Sequence, residues 1–339
     1  MTQKYKVMPR IMTKKDTYTF DYPSANESAR KQGSIIWFAE ELGVEKDEHD
    51  VRTKLTPGER HALVETSKLF THYELKLGGI EFWGGKVAQM FPRPEIQRMA
   101  ATFSFIELGV HAPFYNLINE TLSIATDEFY NAWKHDPVLV ERMDFIDHYA
   151  DSDCPLRSMA AFAFMEGAVI FSNFAYIKSL NSGGFNMCPH FTAGIDASAK
   201  DENFHSMASA WLYNQTLKEL EELGEINAED IKILHEDIIN IAKKVFEHES
   251  YIIETLFSGG EIRTITKADM IEFVKNRIDT VLAYLGMPPL FGIPEGKVAG
   301  WFFNQLSSFK YSDFFSTQQI QYVRDWNKAN LKFNANIGE

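Results

Sequence analysis

The chain has 339 residues, 45% hydrophobic and 14% aromatic, which is enough for one large core, and its net charge of −13 is spread along its length. That acidity argues against sequence-independent nucleic-acid binding, which needs a basic surface. The two cysteines, Cys154 and Cys188, fit no zinc spacing and no disulfide framework, so their simplest state is reduced, in cytosol.

The first thirty residues are polar and mixed in charge, without the apolar run of a signal peptide. Residues 1–33 read as an extended arm, with Pro9 and Pro23 interrupting any helix. The apolar cluster SIIWFAEEL follows and carries Trp37. Thr56, Pro57 and Glu59 then supply an N-cap, a first-turn proline and an early acid, and predict a helix running through Leu63, Leu69, Phe70 and Leu77 with Glu74 on or beside its apolar stripe.

Beyond the glycines of KLGGIEFWGGK, the next helix starts near Glu95 and carries FSFIELGVHAPFY. In that stretch Glu107, His111 and Tyr115 recur every fourth residue, which on a helix places a carboxylate, an imidazole and a phenol on one face. Pro113 lies inside the helix and cannot donate to the carbonyl of Gly109, so the turn between Glu107 and His111 should be loosened or bulged.

Short helices are expected over 120–149, ahead of the turn-like DSDCP. A helix over 157–180 contains the near-membrane-length run Ser158 to Ile177, whose Asn and Ser residues and central acid suit a buried helix rather than a lipid-facing one. Its isolated carboxylate, Glu166, would cost several kcal/mol if buried alone and so needs a cation or a proton. Helix 195–223 carries DENFH, with Glu202 and His205 three apart beside an apolar stripe. Helices over 228–256 and 267–285 complete an all-α body ended by Pro288, Pro289 and Pro294. Residues 34–290 thus read as one helical domain, and 291–339 as a C-terminal segment of weaker periodicity with a polar end, NKANLKFNANIGE.

Four helices thus offer Glu74, then Glu107 with His111, then Glu166, then Glu202 with His205. This is the ligand plan of a carboxylate-bridged dinuclear site in a ferritin-like bundle. Glu74 and Glu107 are 33 residues apart and Glu166 and Glu202 are 36 apart, as two antiparallel helix hairpins require. Four carboxylates neutralise two divalent ions, and an oxygen-rich set without thiolate favours iron, or manganese or a mixed pair, over structural zinc.

In these residues, with Trp37 upstream and Asp201 beside Glu202, the chain resembles the radical-generating small subunit of class I ribonucleotide reductase over roughly 34–285. The resemblance implies that Glu74 and His111 bind the metal nearer Tyr115, that Glu166 and His205 bind the other, and that Glu107 and Glu202 bridge them. It implies that Asp201 links His111 to Trp37, that O2 activates the pair, and that Tyr115 stores a radical shielded by Phe103, Phe105, Phe114, Ile170, Phe171 and Phe174. It further implies a homodimer, a separate large subunit that reduces ribonucleoside diphosphates, and a relay tyrosine in the tail, for which Tyr322 is the candidate, with Tyr311 behind it. The family spacing in the first pair is three residues, whereas Glu107 and His111 are four apart; anchoring on His111 gives Tyr115, and anchoring on Glu107 gives Phe114. Two other readings compete: a di-metal oxidase or hydroxylase component acting on a small organic molecule, which would explain the ligands but not Trp37, Asp201 and the tail, and a non-catalytic storage or scaffold bundle, for which the chain is too long and too aromatic.

Overall fold

A computed structural model describes residues 5–303. Among the described residues there is no β-strand, and thirteen α-helices follow in order: α1 (Pro23–Gly33), α2 (Glu48–Thr53), α3 (Pro57–Gly78), α4 (Lys86–Met90), α5 (Pro94–Ile106), α6 (Ala112–Thr121), α7 (Asp127–Asn131), α8 (Pro137–Ala150), α9 (Pro155–Phe164), α10 (Phe171–Ser179), α11 (Pro189–Glu222), α12 (Ala228–Ser258) and α13 (Lys267–Tyr284). Two π-turns, Glu107–His111 and Met165–Val169, join α5 to α6 and α9 towards α10. The bulge expected ahead of Pro113 is therefore present, and a second one appears that no proline announces.

Proline opens many of these helices because its fixed φ suits the first turn, where its missing N–H would have no partner anyway. On α3 this is combined with a capping box, in which Thr56 accepts from the Glu59 N–H and Glu59 accepts from the Thr56 N–H. The same logic corrects the reading of the N-terminal segment. Pro23 starts α1 rather than breaking it, and α1 packs along α5. Likewise α11 begins at Pro189, earlier than its apolar period alone predicts.

The bundle core is made by α3, the α5–α6 unit, the α9–α10 unit and α11, with α9 lying along α11 and α3 against α6. Helix α12 packs on α3, α9 and α13 and closes the far side. The run Pro155–Ser179 is long and apolar enough to cross a membrane but is wholly buried inside the protein, as a core helix would be. Tyr322 and Tyr311 lie outside the described residues.

Candidate metal centre

Glu74 from α3, Glu107 and His111 from the first π-turn, Glu166 from the second, and Glu202 with His205 from α11 are all 0% exposed. They form two donor sets, Glu74–Glu107–His111–Glu202 and Glu107–Glu166–Glu202–His205, and within each set one ligand atom per residue lies within 4.8 Å of the others. Glu107 and Glu202 belong to both sets. The bundle therefore converges the six side chains on adjoining positions.

The two imidazoles satisfy only part of this carboxylate cluster. Both oxygens of Glu74, Oε2 of Glu166 and of Glu202, and Nε2 of His205 have no hydrogen-bond partner although they are buried. Buried polar atoms are normally paired, because each unpaired one costs about 1–3 kcal/mol. So many orphaned acceptors facing a common point fit a cation, and two divalent ions would match the four carboxylates in charge. The donor set of oxygens and imidazoles without sulfur suits iron or manganese.

The electrostatics of the cluster alone agree. Burial, with Glu107 and Glu202 beside them, holds Glu74 and Glu166 well above the usual carboxylate range. Glu107 feels the same burial, but His205 and His111 outweigh it and pull its carboxyl well down. Burial opposes the charge on His111, yet Glu107, Glu202 and Asp201 raise it well above its ordinary value. Acids crowded without a counter-charge thus retain protons that a bound cation would displace.

Around this centre each half is supported differently. His111 Nδ1 lies 2.9 Å from Glu107 Oε2 and 2.9 Å from Glu202 Oε1, while its Nε2 is 3.2 Å from Asp201 Oδ2. A carboxylate can only accept, so Asp201 fixes a proton on Nε2, and Nδ1 is the nitrogen that faces the cluster and would give up its proton to a bound cation. The half-buried Trp37 donates from Nε1 to the same Asp201 oxygen (3.0 Å), and the Gln32 amide at the end of α1 donates to the other (2.9 Å). The His205 ring instead packs against Phe103 at 4.2 Å between centroids and near Trp83; its Nδ1 meets Glu107 Oε1, and its Nε2 has no polar partner. Trp83 Nε1 donates to Glu166 Oε1 at 2.6 Å.

Tyr115 is 1% exposed, shares a 2.5 Å hydrogen bond with Ser198 Oγ, and has its ring 4.5 Å from Phe70 and 6.4 Å from His111. Burial, reinforced by Glu74, raises its phenol well above the ordinary value and keeps it protonated. Phe114 lies next to it and packs on Trp37 at 5.4 Å. The expected shield is only partly right. Phe105 is 46% exposed, because it precedes the π-turn on the outer face, and Phe171 packs on Phe174 and Phe302. Phe70 stands in their place.

Gln32, Trp83 and Ser198 escape the sequence reading. Trp83 sits between glycine pairs in what reads as a turn, and Ser198 is one hydroxyl on a long helix; the lone tryptophan among glycines was the one available signal.

The family model "Ribonucleotide reductase, small chain" matches residues 14–297. The chain is 24% identical over 346 residues to the probable ribonucleoside-diphosphate reductase small subunit 048L of Invertebrate iridescent virus 3, covering 94% of this chain and 88% of that one. It is 28% identical over 296 residues to the ribonucleoside-diphosphate reductase subunit beta of Mycoplasmoides gallisepticum, covering 85% and 81%. Among solved structures, the dimanganese(II)-NrdF of Streptococcus sanguinis superposes with a TM-score of 0.69 at 20% identity, over 83% of this chain and 94% of that one. With a match that runs from the N-terminal arm past the last helix of the bundle, the chain belongs to the ribonucleotide reductase small-chain family.

Proposed function

We propose that this protein generates and stores a tyrosyl radical for a class I ribonucleotide reductase acting on ribonucleoside diphosphates. The observation that carries the reading is the pair of overlapping donor sets sharing Glu107 and Glu202, with the buried phenol of Tyr115 one helical turn from His111. Glu74 and His111 would hold the ion nearer Tyr115, Glu166 and His205 the other, with Glu107 and Glu202 between them. The donor chemistry favours iron, and a dimanganese(II) form in the S. sanguinis relative makes manganese or a mixed pair a real alternative. Bound there, such a pair would supply, from O2, the oxidising equivalent needed to take one electron from a phenol.

The chain's own residues set the conditions for that step. Ser198 holds the Tyr115 oxygen in place at 2.5 Å, and Phe70 and Phe114 cover the ring and exclude water. Loss of an electron from Tyr115 must be accompanied by loss of its O–H proton, because burial disfavours any charged form of the ring. Asp201 anchors His111 on one side and Trp37 on the other, so the contacts His111–Asp201–Trp37 run from the buried centre to a half-exposed indole. That is the exit by which the oxidising equivalent would leave for a separate large subunit, with Tyr322 as candidate relay in the tail.

A homodimer is supported by exposed apolar side chains at the α3–α5 edge: Leu75 (53%), Ile80 (73%), Phe105 (46%) and Leu108 (41%). With both cysteines buried and reduced, a cytosolic setting fits.

Aerobic reconstitution of the metal-free protein with ferrous iron should give a tyrosyl EPR signal and a sharp optical band on top of the metal absorption, both lost in Tyr115→Phe. Two bound ions with no radical in the unsubstituted protein would refute the radical assignment and favour the oxidase reading. Nucleotide reduction should require an added large subunit.

A further inference from the structure

Helix α13 contributes none of the six candidate ligands, yet it sends one buried cation to the segments that carry three of them. Arg277 is 0% exposed; its Nε donates to the carbonyl of Gly167 (2.8 Å), directly after Glu166, and its Nη2 donates to Asn203 Oδ1 (3.0 Å), directly after Glu202. Tyr284, about two turns along the same helix, donates its hydroxyl to the same Asn203 oxygen at 3.2 Å. The guanidinium lies over the Phe171 ring at 4.1 Å, and burial lowers its affinity for its proton to a pKa of about 10. Among the described residues no carboxylate pairs with it in a salt bridge. A buried charge without an anion is costly and needs another reason for its position.

The second π-turn provides that reason. A π-turn breaks the regular i→i+4 ladder, and its carbonyls must find partners elsewhere. Here Ser206 Oγ takes Ala163 O (2.7 Å), Arg277 takes Gly167 O, and Arg142, itself paired with Glu249 at 2.5 Å, takes Val169 O (2.6 Å). Gly167 has no room for a Cβ, which would strike Ser206 and Val281, so the turn is pressed directly against α11 and α13. On this side His205 has no polar anchor of the kind Asp201 gives His111.

We infer that Arg277, through Gly167 and Asn203, is a positioning residue that sets the spacing between the Glu166 turn and the Glu202–His205 segment, and so the affinity of the second metal position. The inference rests on the two-ion reading above. In effect the two halves are held by different devices: an outer carboxylate on the His111 side, and a cationic clasp from α13 on the His205 side.

The test is Mn(II) loading of metal-free protein, with free Mn(II) counted by EPR and bound Mn(II) distinguished as a lone six-line centre or a spin-coupled pair. Arg277→Met keeps the volume and removes the charge; Asn203→Ala leaves Arg277 on Gly167 but cuts its hold on α11. Both variants should bind a first ion within about threefold of the unsubstituted protein and a second at least tenfold more weakly, giving a lone-ion spectrum where the unsubstituted protein gives a coupled one. The thermal stability of metal-free Arg277→Met should not fall in proportion, which a merely structural role would require. Coupled loading at unchanged affinity in either folded variant, or equal weakening of both ions, overturns the inference. Should Arg277→Met fail to fold, Asn203→Ala decides alone; should the unsubstituted protein bind no pair, it is the two-ion reading that fails.

Discussion

Asp201→Asn separates charge from hydrogen-bond geometry at the outer anchor of His111. The carboxylate is 1% exposed and accepts from Gln32 Nε2 at 2.9 Å, Trp37 Nε1 at 3.0 Å and His111 Nε2 at 3.2 Å. An asparagine can keep its oxygen towards Trp37 and His111 and turn its NH2 group towards Gln32. Gln32 Oε1 is buried without a partner, so rotating that amide would accept the new donor. No polar group need be orphaned.

What is lost is the charge. Hydrogen bonds to charged groups contribute about 1.5–3 kcal/mol and neutral ones about 0.5–1.5 kcal/mol. For the two bonds from Trp37 and His111 the difference comes to roughly 2–3 kcal/mol, much of it expressed in the basicity and tautomer of His111. Outer partners of metal-ligating histidines typically change affinity by about 10–100-fold, equivalent to about 1.4–2.8 kcal/mol. In a Mn(II) titration, the ion at the Glu74–His111 position should weaken by about that much while the other stays nearly unchanged. Two unaltered affinities would show that Asp201 has no hold on the imidazole. Equal losses at both positions would show that the substitution acts through the shared Glu202 instead.

Thermal melts of metal-free and Mn(II)-loaded protein should diverge as pH rises. Glu74, Glu166 and His111 have folded pKa values above the unfolded ones of 4.5 for the acids and 6.5 for the imidazole, so their stabilisation is full below those values and is lost as pH climbs through the raised ones. Glu107 acts oppositely, its contribution present above 4.5 and lost as pH falls through its depressed value. Bound cations remove the penalty on the first group, so the gain in Tm on loading should be larger at pH 8 than at pH 6; a gain independent of pH would contradict the protonated cluster. Gly78→Ala would place a Cβ 2.5 Å from Glu107 Cβ and 2.9 Å from Leu108 Cγ. Overpacking of this kind costs about 1–3 kcal/mol, and because Glu107 faces both positions, calorimetric titration should show both ions weakened; a melt shift with intact binding would place the strain elsewhere.

The six candidate ligands were legible because carboxylates in apolar helices are expensive and their spacing is periodic. The first π-turn was legible through Pro113. What stayed hidden depends on tertiary contacts. Pro23 is equally compatible with breaking a helix and starting one, and only the packing of α1 on α5 decides it. Nothing marks the second π-turn except Gly167, since its freed carbonyls are satisfied by Ser206, Arg142 and Arg277 from remote parts of the chain. Phe105 reads as core by composition, but it lies on the outer face of α5 and is 46% exposed.

The unequal spacing of the two Glu–His pairs resolves in the same terms. Ala112 N–H bonds back to Glu107 O, an i→i+5 closure that takes one more residue than an α-turn. A residue four along a π-turn then faces much as a residue three along does in an α-helix, so Glu107 and His111 converge as Glu202 and His205 do on the regular helix α11. The extra residue is absorbed outward, where Leu108 is 41% exposed. Deleting Gly109 should therefore restore an α-turn with the pair three apart and leave the donor set intact, provided the proline is dealt with. Pro113 left in the repaired helix would still lack its N–H and clash with the carbonyl four residues back, at a cost of about 3 kcal/mol. The Gly109 deletion combined with Pro113→Ala should thus bind two ions with near-native stability, while the deletion alone should melt several degrees lower. If the double variant binds neither ion, the bulge is not a compensated insertion but a required part of the centre.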